Sequence, residues 1–300
     1  MTKLQYAVIT PVLNEVDNIG RVAECLVRQS RMPQAWIVVD TGSSDGTRAA
    51  VEALARTYAW MRLESIPPSR DEGRAPPIVR AFHHGLSALA ERPEIVVKLD
   101  GDVSFDDEYF ERMLAEFERD PRLGIASGEA FELDNGRWRV RNATWAPVWC
   151  ASRAYRRECL ADVLPLEERF GWDTIDLVKA TVADWDFRVV EGLPFRHHRP
   201  EGRRERTQWS RWVAQGRASH YMGYRFPYLV LRTFYRARRQ PAAVGIFAGF
   251  LLTALRREPR YADDAVRDWI RNEQRLRRWP KRVREALRRR VELQSPLGSS

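Results

Sequence analysis

Short apolar runs alternate with helical patterns through the first hundred residues. Each run ends in polar turn residues, as buried parallel strands do. Between the runs, apolar residues recur at the spacing of an amphipathic helix. This order predicts an α/β fold with a mostly parallel sheet and helices on both faces. The strand patterns lie at Tyr6–Thr10, Ala35–Asp40, Met61–Ser65 and a run ending at Asp100, and the helical patterns lie at 17–30, 47–58 and 78–90.

Acidic and small polar residues follow three of these strands, at Pro11–Glu15, Asp40–Thr47 and Asp100–Asp102. In open α/β sheets ligands bind beyond the carboxyl ends of the strands, where these segments should meet. The run Val-Val-Lys-Leu-Asp-Gly-Asp at 96–102 places two carboxylates there. Such a pair suits a hard cation, Mn²⁺ or Mg²⁺, that keeps positions open for phosphates. The sequence therefore predicts a site for a metal-bound diphosphate.

The middle of the chain continues with mixed patterns. We expect a helix at Phe105–Phe117, a strand at Leu123–Phe131 and a hairpin turn at Asp134–Gly136. Three of the eleven tryptophans lie within Trp138–Trp149. They could pack under a sheet or form a wall for a sugar or acceptor, and both interpretations stay open.

Composition narrows the class of protein. Three cysteines at unrelated spacings, without a Cys-x-x-Cys pair, support neither a disulfide framework nor a zinc site. The first residues run directly into a strand pattern and lack the features of a secretory signal. We therefore expect a cytoplasmic protein.

Charge is divided unevenly along the chain, whose net charge is +9. Residues 1–195 carry 24 Lys and Arg against 32 Asp and Glu, whereas residues 196–300 carry 26 against 9. We expect a catalytic domain over 1–195, with a donor half at about 1–103 and an acceptor half at about 104–195, and a basic, helical region over 196–300. The basic region indicates an anionic partner, either nucleic acid or a membrane surface.

Residues 242–255 are uncharged and are flanked by arginines. A helix of this length is shorter than the roughly 30 Å hydrocarbon layer, so we do not expect it to span a membrane. It could be a buried helix or an interfacial one held by arginines and aromatic residues. The segment Arg277–Arg290 could likewise be a solvated helix or a membrane-surface patch.

Four segments together resemble the family-2 glycosyltransferases of GT-A fold, including bacterial members that assemble surface polysaccharides. The resemblance covers roughly residues 5–200, and the second and third segments are its specific part. Physically, Asp40 ends a strand where its carboxylate can accept a hydrogen bond from a base or ribose, beside small residues that permit a tight turn. The segments are Val-Ile-Thr-Pro-Val-Leu-Asn-Glu at 8–15, Val-Val-Asp-Thr-Gly-Ser-Ser-Asp-Gly-Thr at 38–47, Lys-Leu-Asp-Gly-Asp at 98–102 and Gly-Trp-Asp-Thr-Ile-Asp-Leu-Val-Lys-Ala at 171–180.

The resemblance implies a nucleotide-sugar donor and a metal, Mn²⁺ or Mg²⁺, on its diphosphate. Asp102 and Asp100 would be metal ligands, and we add His198, because some relatives use a histidine from this region. Arg74 or Arg80 could face the diphosphate. The residues implied in nucleotide binding are Thr10, Pro11, Leu13, Asn14, Glu15, Asp40, Gly42, Ser43, Arg80, Asp100 and Gly101.

The implied reaction is an inverting sugar transfer, which needs a carboxylate base to deprotonate the acceptor hydroxyl. Relatives carry Glu-Asp where this chain has Trp172-Asp173. The base is therefore Asp173 or Asp176, with Asp173 preferred because the start of a helix favours its ionised form. Helix capping is the structural alternative for the same residue.

The tail Gly-Arg-Ala-Ser-His-Tyr-Met-Gly-Tyr at 216–224 resembles bacterial members whose acceptor is often a lipid-linked saccharide. This implies a peripheral enzyme at the inner face of the cell membrane, with a saccharide or lipid-linked saccharide as acceptor. Two alternatives remain: a sugar-phosphate nucleotidyltransferase, and a basic nucleic-acid-binding protein. The first usually has a glycine-rich loop after its first strand, which is not found here, and the second leaves the acidic front half unexplained.

Overall fold

The computed structural model describes residues 3–68, 75–91, 93–134, 137–140, 148–199, 207–238 and 240–275. These residues fall into two compact units. The first lies within Met1–Glu168 and Ala183–Arg199, and the second within Arg169–Val182 and Pro200–Ser300. The segment 171–180, which sequence reasoning placed in the catalytic domain, groups with the second unit.

The first unit is built around one nine-stranded sheet with the order β3-β2-β1-β4-β8-β6-β9-β5, in which β7 pairs with β6. Its strands are β1 Tyr6–Val12, β2 Ala35–Asp40, β3 Met61–Ser65, β4 Ile95–Leu99, β5 Val103–Phe105, β6 Leu123–Asp134, β7 Arg137–Val140, β8 Ser152–Arg156 and β9 Asp186–His197. Its helices are α1 Val16–Val27, α2 Thr47–Thr57, α3 Ala75–Ala88, α4 Tyr109–Arg119 and α5 Arg157–Val163.

The strands β3, β2, β1 and β4 are parallel, which confirms the predicted sheet. Val8 and Val38 face a core that includes Val22 of α1 and Val51 of α2. On the other face, Gly85 of α3 lies so close to Ile9 that an added Cβ would be 2.5 Å from its Cγ2. Helices therefore cover both faces, and the carboxyl ends of β1, β2 and β4 lie at one edge of the sheet.

The second half of the sheet was less predictable. Strands β8 and β9 were missed, and the predicted helix at Phe105–Phe117 is wrong at its start, because Val103–Phe105 is a strand and α4 begins at Tyr109. Strand β5 forms because it pairs antiparallel with β9, about ninety residues later. The predicted hairpin is present, since Asp134 pairs with Arg137. Its tip, and residues 141–147 of the tryptophan-rich stretch, lie outside the described residues.

The second unit is helical where it is described. It contains α6 Trp172–Val182, α7 Gln208–Tyr221, α8 Phe226–Ala237, a short 3-10 helix at Pro241–Val244, α9 Gly245–Leu255 and α10 Asp264–Glu273. Within the described residues, no helix has both the length and the apolar composition needed to cross a membrane. Arg74 and the segment Arg277–Arg290 lie outside the described residues.

Candidate active site

Two loops at the carboxyl edge of the sheet are tied together by hydrogen bonds. Asn14 adopts a positive φ of 56°, and its amide oxygen accepts a bond from the backbone N–H of Ser44 at 2.9 Å. Its own N–H donates to the Ser43 hydroxyl at 2.9 Å, and the Glu15 N–H donates to the Thr47 hydroxyl at 2.7 Å. The Asn-Glu motif therefore fixes the loop after β1 against the loop after β2.

Asp40 is the last residue of β2 and is buried. Its Oδ1 accepts the backbone N–H of Ser43 at 3.0 Å, which closes the turn through Gly42. Gly42 has a φ of 101° and lies against Pro68, so a side chain at this position would collide with that proline. One carboxylate oxygen thus shapes the turn, as expected for a residue at the end of a strand.

The other residues implied in nucleotide binding occupy different surroundings. Thr10 is buried, and its hydroxyl accepts a hydrogen bond from the Trp36 indole at 2.9 Å, so it is part of the core. Pro11 pairs with Val39 in the sheet, and Leu13 is exposed at the edge. Arg80, on α3, forms an ion pair with Glu168 at 3.2 Å.

The two aspartates of the Asp-Gly-Asp segment follow β4 directly. The Asp100 N–H donates to the Ala151 carbonyl at 2.8 Å, and the Asp102 carbonyl accepts the His198 N–H at 2.9 Å. Lys98, fully buried, forms an ion pair with the Asp100 carboxylate. A Cβ on Gly101 would lie 3.2 Å from Glu15 Cγ, so the loop after β1 packs directly on the diacid turn.

His197 completes the cluster. One ligand atom from each of Asp100, Asp102 and His197 lies within 4.8 Å of the others. His197 Nε2 is 3.2 Å from Asp102 Oδ1, yet it is buried without a well-formed hydrogen bond to any described residue. Its Nδ1 is 3.4 Å from Glu132 Oε1, which orients the ring. A buried imidazole nitrogen aimed at two carboxylates, with a carboxylate behind it, fits a divalent metal site.

The electrostatics of His197 follow from its neighbours. Burial disfavours the imidazolium, but the carboxylates of Asp102, Glu132 and Asp100 outweigh it and raise the pKa of His197 to about 10. Without a bound cation, the positive charge of the His197 imidazolium therefore offsets the negative charge of these carboxylates. Because a histidine that binds a metal must be a neutral imidazole, a metal bound at this cluster would displace that proton.

His198 was the histidine chosen from the sequence, and the structure gives it other partners. Its Nε2 is 2.8 Å from the Ser104 hydroxyl, and its ring packs edge to face on Trp138 with ring centroids 5.2 Å apart. Burial and the positive charge of Arg21 lower the pKa of His198. The cluster therefore contains His197 in the place where His198 was expected. The alternation of the buried residues Leu193, Phe195 and His197 along β9 is the sequence signal that could have identified it.

A second charged pair adjoins the cluster, and of its two residues Glu15 was expected at the site from the sequence whereas Arg199 was missed. Arg199 forms a two-pronged ion pair with Glu15, with Nη1 3.0 Å from Oε1 and Nη2 2.6 Å from Oε2. Its Nε lies 3.8 Å from Asp102 Oδ2. Burial and the nearby Asp102 raise the pKa of Glu15 to about 7, against the lowering effects of Asn18 and Arg199.

Asp173 and Asp176 lie on α6, in the second unit. Asp173 is in the first turn of the helix, as expected, and is half-buried. Asp176 is almost fully buried, and its Oδ1 accepts the Leu177 N–H at 2.7 Å. Asp173 is therefore more accessible to solvent than Asp176.

The family is established by comparison with known proteins. Residues 7–165, more than half of the chain, match the model of glycosyl transferase family 2. The chain therefore belongs to glycosyl transferase family 2 and is a glycosyltransferase. This confirms the family and enzyme class predicted from the sequence.

Solved structures show the same fold. The mannosyltransferase PcManGT from Pyrobaculum calidifontis, solved with GDP-Man and Mn²⁺, is 16% identical with a TM-score of 0.54, and the match covers 96% of this chain and 87% of that one. TarS 1–349 from S. aureus, solved with UDP-GlcNAc, is 19% identical with a TM-score of 0.55, covering 72% and 66%. GalNAc-T7, solved with UDP, GalNAc and Mn²⁺, is 12% identical with a TM-score of 0.55, covering 73% and 48%. At these identities the likeness confirms the GT-A type of fold.

Proposed function

We propose that this protein is a metal-dependent, inverting glycosyltransferase that moves a sugar from a nucleotide-diphosphate donor to a hydroxyl of a saccharide acceptor. The observation that carries the proposal is the convergence of Asp100, Asp102 and His197 beside the loops after β1 and β2. The bound molecules of the relatives, GDP-Man with Mn²⁺ and UDP-GlcNAc, support a nucleotide-sugar donor.

Mn²⁺ or Mg²⁺ would be held by Asp100, Asp102 and His197. Lys98 and Glu132 would orient two of these ligands, since each contacts one of them. When bound, the cation would offset the negative charge that develops on the departing nucleoside diphosphate. The hydrogen-bonded loops containing Asn14 and Ser43 would frame the nucleotide.

The nucleotide pocket in this proposal is smaller than the set implied by the sequence. We leave out Thr10, whose hydroxyl is bonded to the Trp36 indole in the core, and Arg80, which lies on α3 and is paired with Glu168. The remaining candidates all lie on the three segments at the carboxyl edge of the sheet. They are Pro11, Leu13, Asn14, Glu15, Asp40, Gly42, Ser43, Asp100 and Gly101.

Asp173 is our choice for the base that removes the proton from the acceptor hydroxyl. It is half-buried in the first turn of α6, where the helix dipole favours the carboxylate. Asp176 is buried and bonded to the backbone of Leu177, which suits a structural role. Attack by the deprotonated hydroxyl in a single displacement would invert the anomeric centre.

A lipid-linked acceptor at the inner face of a bacterial membrane is supported by the surface of the second unit. Three large apolar side chains of α8 and α9 are mostly exposed: Phe234 at 68%, Tyr235 at 62% and Leu255 at 81%. Exposed arginines accompany them at Arg238 and Arg256. Apolar side chains flanked by basic ones suit an anionic membrane surface.

The central experiment is a thermal-shift screen of GDP-mannose, UDP-GlcNAc and other nucleotide sugars, with and without Mn²⁺. A donor at a hundred times its Kd should stabilise the protein by about 2.7 kcal/mol. We expect one donor to do so only with metal, and to be consumed when a suitable acceptor is supplied. Asp102→Asn should abolish the metal-dependent shift.

Asp107→Asn is the matched control, because Asp107 lies five residues away in an exposed ion pair with Arg28. It should behave as wild type. A chelator that leaves transfer unchanged would contradict metal dependence. Turnover of a nucleoside triphosphate with a sugar phosphate, releasing pyrophosphate, would instead identify a nucleotidyltransferase.

The choice of base gives a separate prediction. Asp173→Asn should retain metal-dependent donor binding and lower kcat by about 10²–10⁴-fold, the usual contribution of a general base. Donor affinity is measured by calorimetry and transfer by release of the nucleoside diphosphate. Transfer by Asp173→Asn at the wild-type rate would exclude this residue as the base, and a comparable loss confined to Asp176→Asn would assign the role there.

A further inference from the structure

Arg199 lies beside the cluster of Asp100, Asp102 and His197 and is paired with Glu15. Its side chain is 26% exposed, whereas those of Glu15 and Asp102 are 6% and 4% exposed. The ion pair with Glu15 uses one N–H from each terminal nitrogen, and a guanidinium has further donors beyond these. The Arg199 guanidinium is held by Glu15 and is also partly exposed to solvent, so it can still contact a ligand.

Glu15 is a rigid anchor. Its N–H is bonded to Thr47, and its Oε2 also accepts the Asn18 amide at 3.0 Å. Its side chain packs on Gly101, between the two aspartates, closely enough that a Cβ at Gly101 would crowd it. The position of the Glu15 carboxylate is thereby tied to the position of the diacid turn.

The charges explain why an anchor is needed. A divalent cation held by Asp102 would repel a guanidinium whose Nε is 3.8 Å from the same carboxylate. The Glu15 carboxylate offsets this repulsion by forming a fork with Arg199, the strongest kind of protein ion pair. A diphosphate, the anion that a metal and a guanidinium can share, would lie against both cations.

We propose that Arg199 binds the diphosphate of the donor next to the metal cluster, and that Glu15 is the positioning residue that holds Arg199 there. The proposal rests on the proposed function and adds two roles to it. It brings Glu15, the two aspartates of the Asp-Gly-Asp segment, His197 and Arg199 into one diphosphate site. The competing explanation is that Arg199 only neutralises the carboxylates when no cation is bound.

Calorimetry separates these explanations, with Mn²⁺ alone and with Mn²⁺ plus GDP or UDP as probes. Arg199→Ala should weaken binding of the accepted diphosphate by about ten- to a hundredfold, the cost of losing hydrogen bonds to a charged group. It should not weaken binding of Mn²⁺ alone, because the substitution removes a repelling charge. Arg199→Lys should give an intermediate loss, since lysine lacks the fork.

Glu15→Gln tests the positioning role. It should weaken diphosphate binding through Arg199, so the double variant Glu15→Gln/Arg199→Ala should bind no worse than Arg199→Ala alone. Arg196→Ala, three residues earlier in an exposed pair with Asp106, is the matched control and should bind as wild type. Melting temperatures of all variants identify any that fail to fold, and Arg199→Lys then replaces Arg199→Ala.

Three outcomes would overturn the inference. The first is diphosphate binding by Arg199→Ala within twofold of wild type. The second is an equal loss of affinity for Mn²⁺ alone, which would mean that Arg199 only shapes the metal site. The third is additive effects of Glu15→Gln and Arg199→Ala. If the wild-type protein itself binds none of GDP, UDP, ADP, CDP and dTDP with Mn²⁺, the proposed function fails as well.

Discussion

At the scale of single residues, His197 is the last residue of strand β9 and His198 follows it directly, and their side chains meet different partners, as successive residues of an extended chain do. His197 continues the buried series of Leu193 and Phe195 and meets Asp102 and Glu132. His198 instead contacts Ser104 and Trp138. A shift of one position along the chain therefore decides which imidazole lies beside the carboxylates.

Substitution of each histidine tests this assignment. His197→Ala should weaken Mn²⁺ binding at least tenfold, since loss of residues that merely orient metal ligands costs about 10–100-fold. His198→Ala should change it by less than about threefold, as expected for a side chain outside the ligand set. Electron paramagnetic resonance of free Mn²⁺ during a titration gives both affinities. The assignment is wrong if His198→Ala shows the larger loss.

At the scale of elements, the apolar segment at 242–255 is explained by its packing on α7. A Cβ on Gly216 would lie 2.1 Å from the Ile246 carbonyl, and one on Gly249 would lie 2.1 Å from the Val213 carbonyl. The backbones of α7 and α9 therefore touch, and Ile246, Gly249 and Phe250 are buried on this side. Other residues of the segment, including Leu255, are exposed, so it has both a buried and an exposed face.

Gly216→Ala should separate the two helices and lower the free energy of unfolding by about 1–3 kcal/mol, the usual cost of overpacking. Gly20→Ala is the control, because Gly20 lies within α1 and an added Cβ there meets nothing within 4 Å. That change should stabilise the protein by about 0.5–1 kcal/mol, since alanine favours a helix. Urea denaturation measures both, and a neutral Gly216→Ala would contradict the close contact of α7 and α9.

At the scale of the whole molecule, the acidic and basic parts of the chain have different tasks in our proposal. The first unit provides carboxylates for a metal and a nucleotide, and the second presents arginines and exposed apolar side chains. Association with an anionic membrane surface would combine both kinds of contact, and its electrostatic part would weaken as salt screens the charges.

Vesicle sedimentation tests this association. The protein should bind vesicles containing phosphatidylglycerol better than vesicles of phosphatidylcholine alone, and less at 0.5 M than at 0.1 M NaCl. The triple variant Phe234→Ser/Tyr235→Ser/Leu255→Ser should lose most of this binding while retaining nucleotide-sugar binding. Leu133→Ser, at an exposed apolar position of the first unit, is the control. Equal sedimentation with both lipids would count against an anionic membrane partner.

Much of the fold could be predicted from local pattern. The parallel strands β1 to β4, their helices and the loops that end them follow from apolar periodicity and from turn residues that act over a few positions. The Asp100 and Asp102 pair was predicted from its place directly after a strand, and the family was predicted from the resemblance of four sequence segments to known members. The individual strands, helices and turns depend on interactions between residues close in sequence, so the sequence by itself determined them.

Only the tertiary structure decided which residues distant in sequence lie beside Asp100 and Asp102. Strand β9 pairs with β5 and β6, and this brings His197 and Arg199 to aspartates almost a hundred residues earlier. Lys98 likewise becomes a buried partner of Asp100 only within the sheet. Sequence pattern does not encode such pairings, because the free energy of strand association and burial is shared over the whole sheet rather than fixed by any one segment.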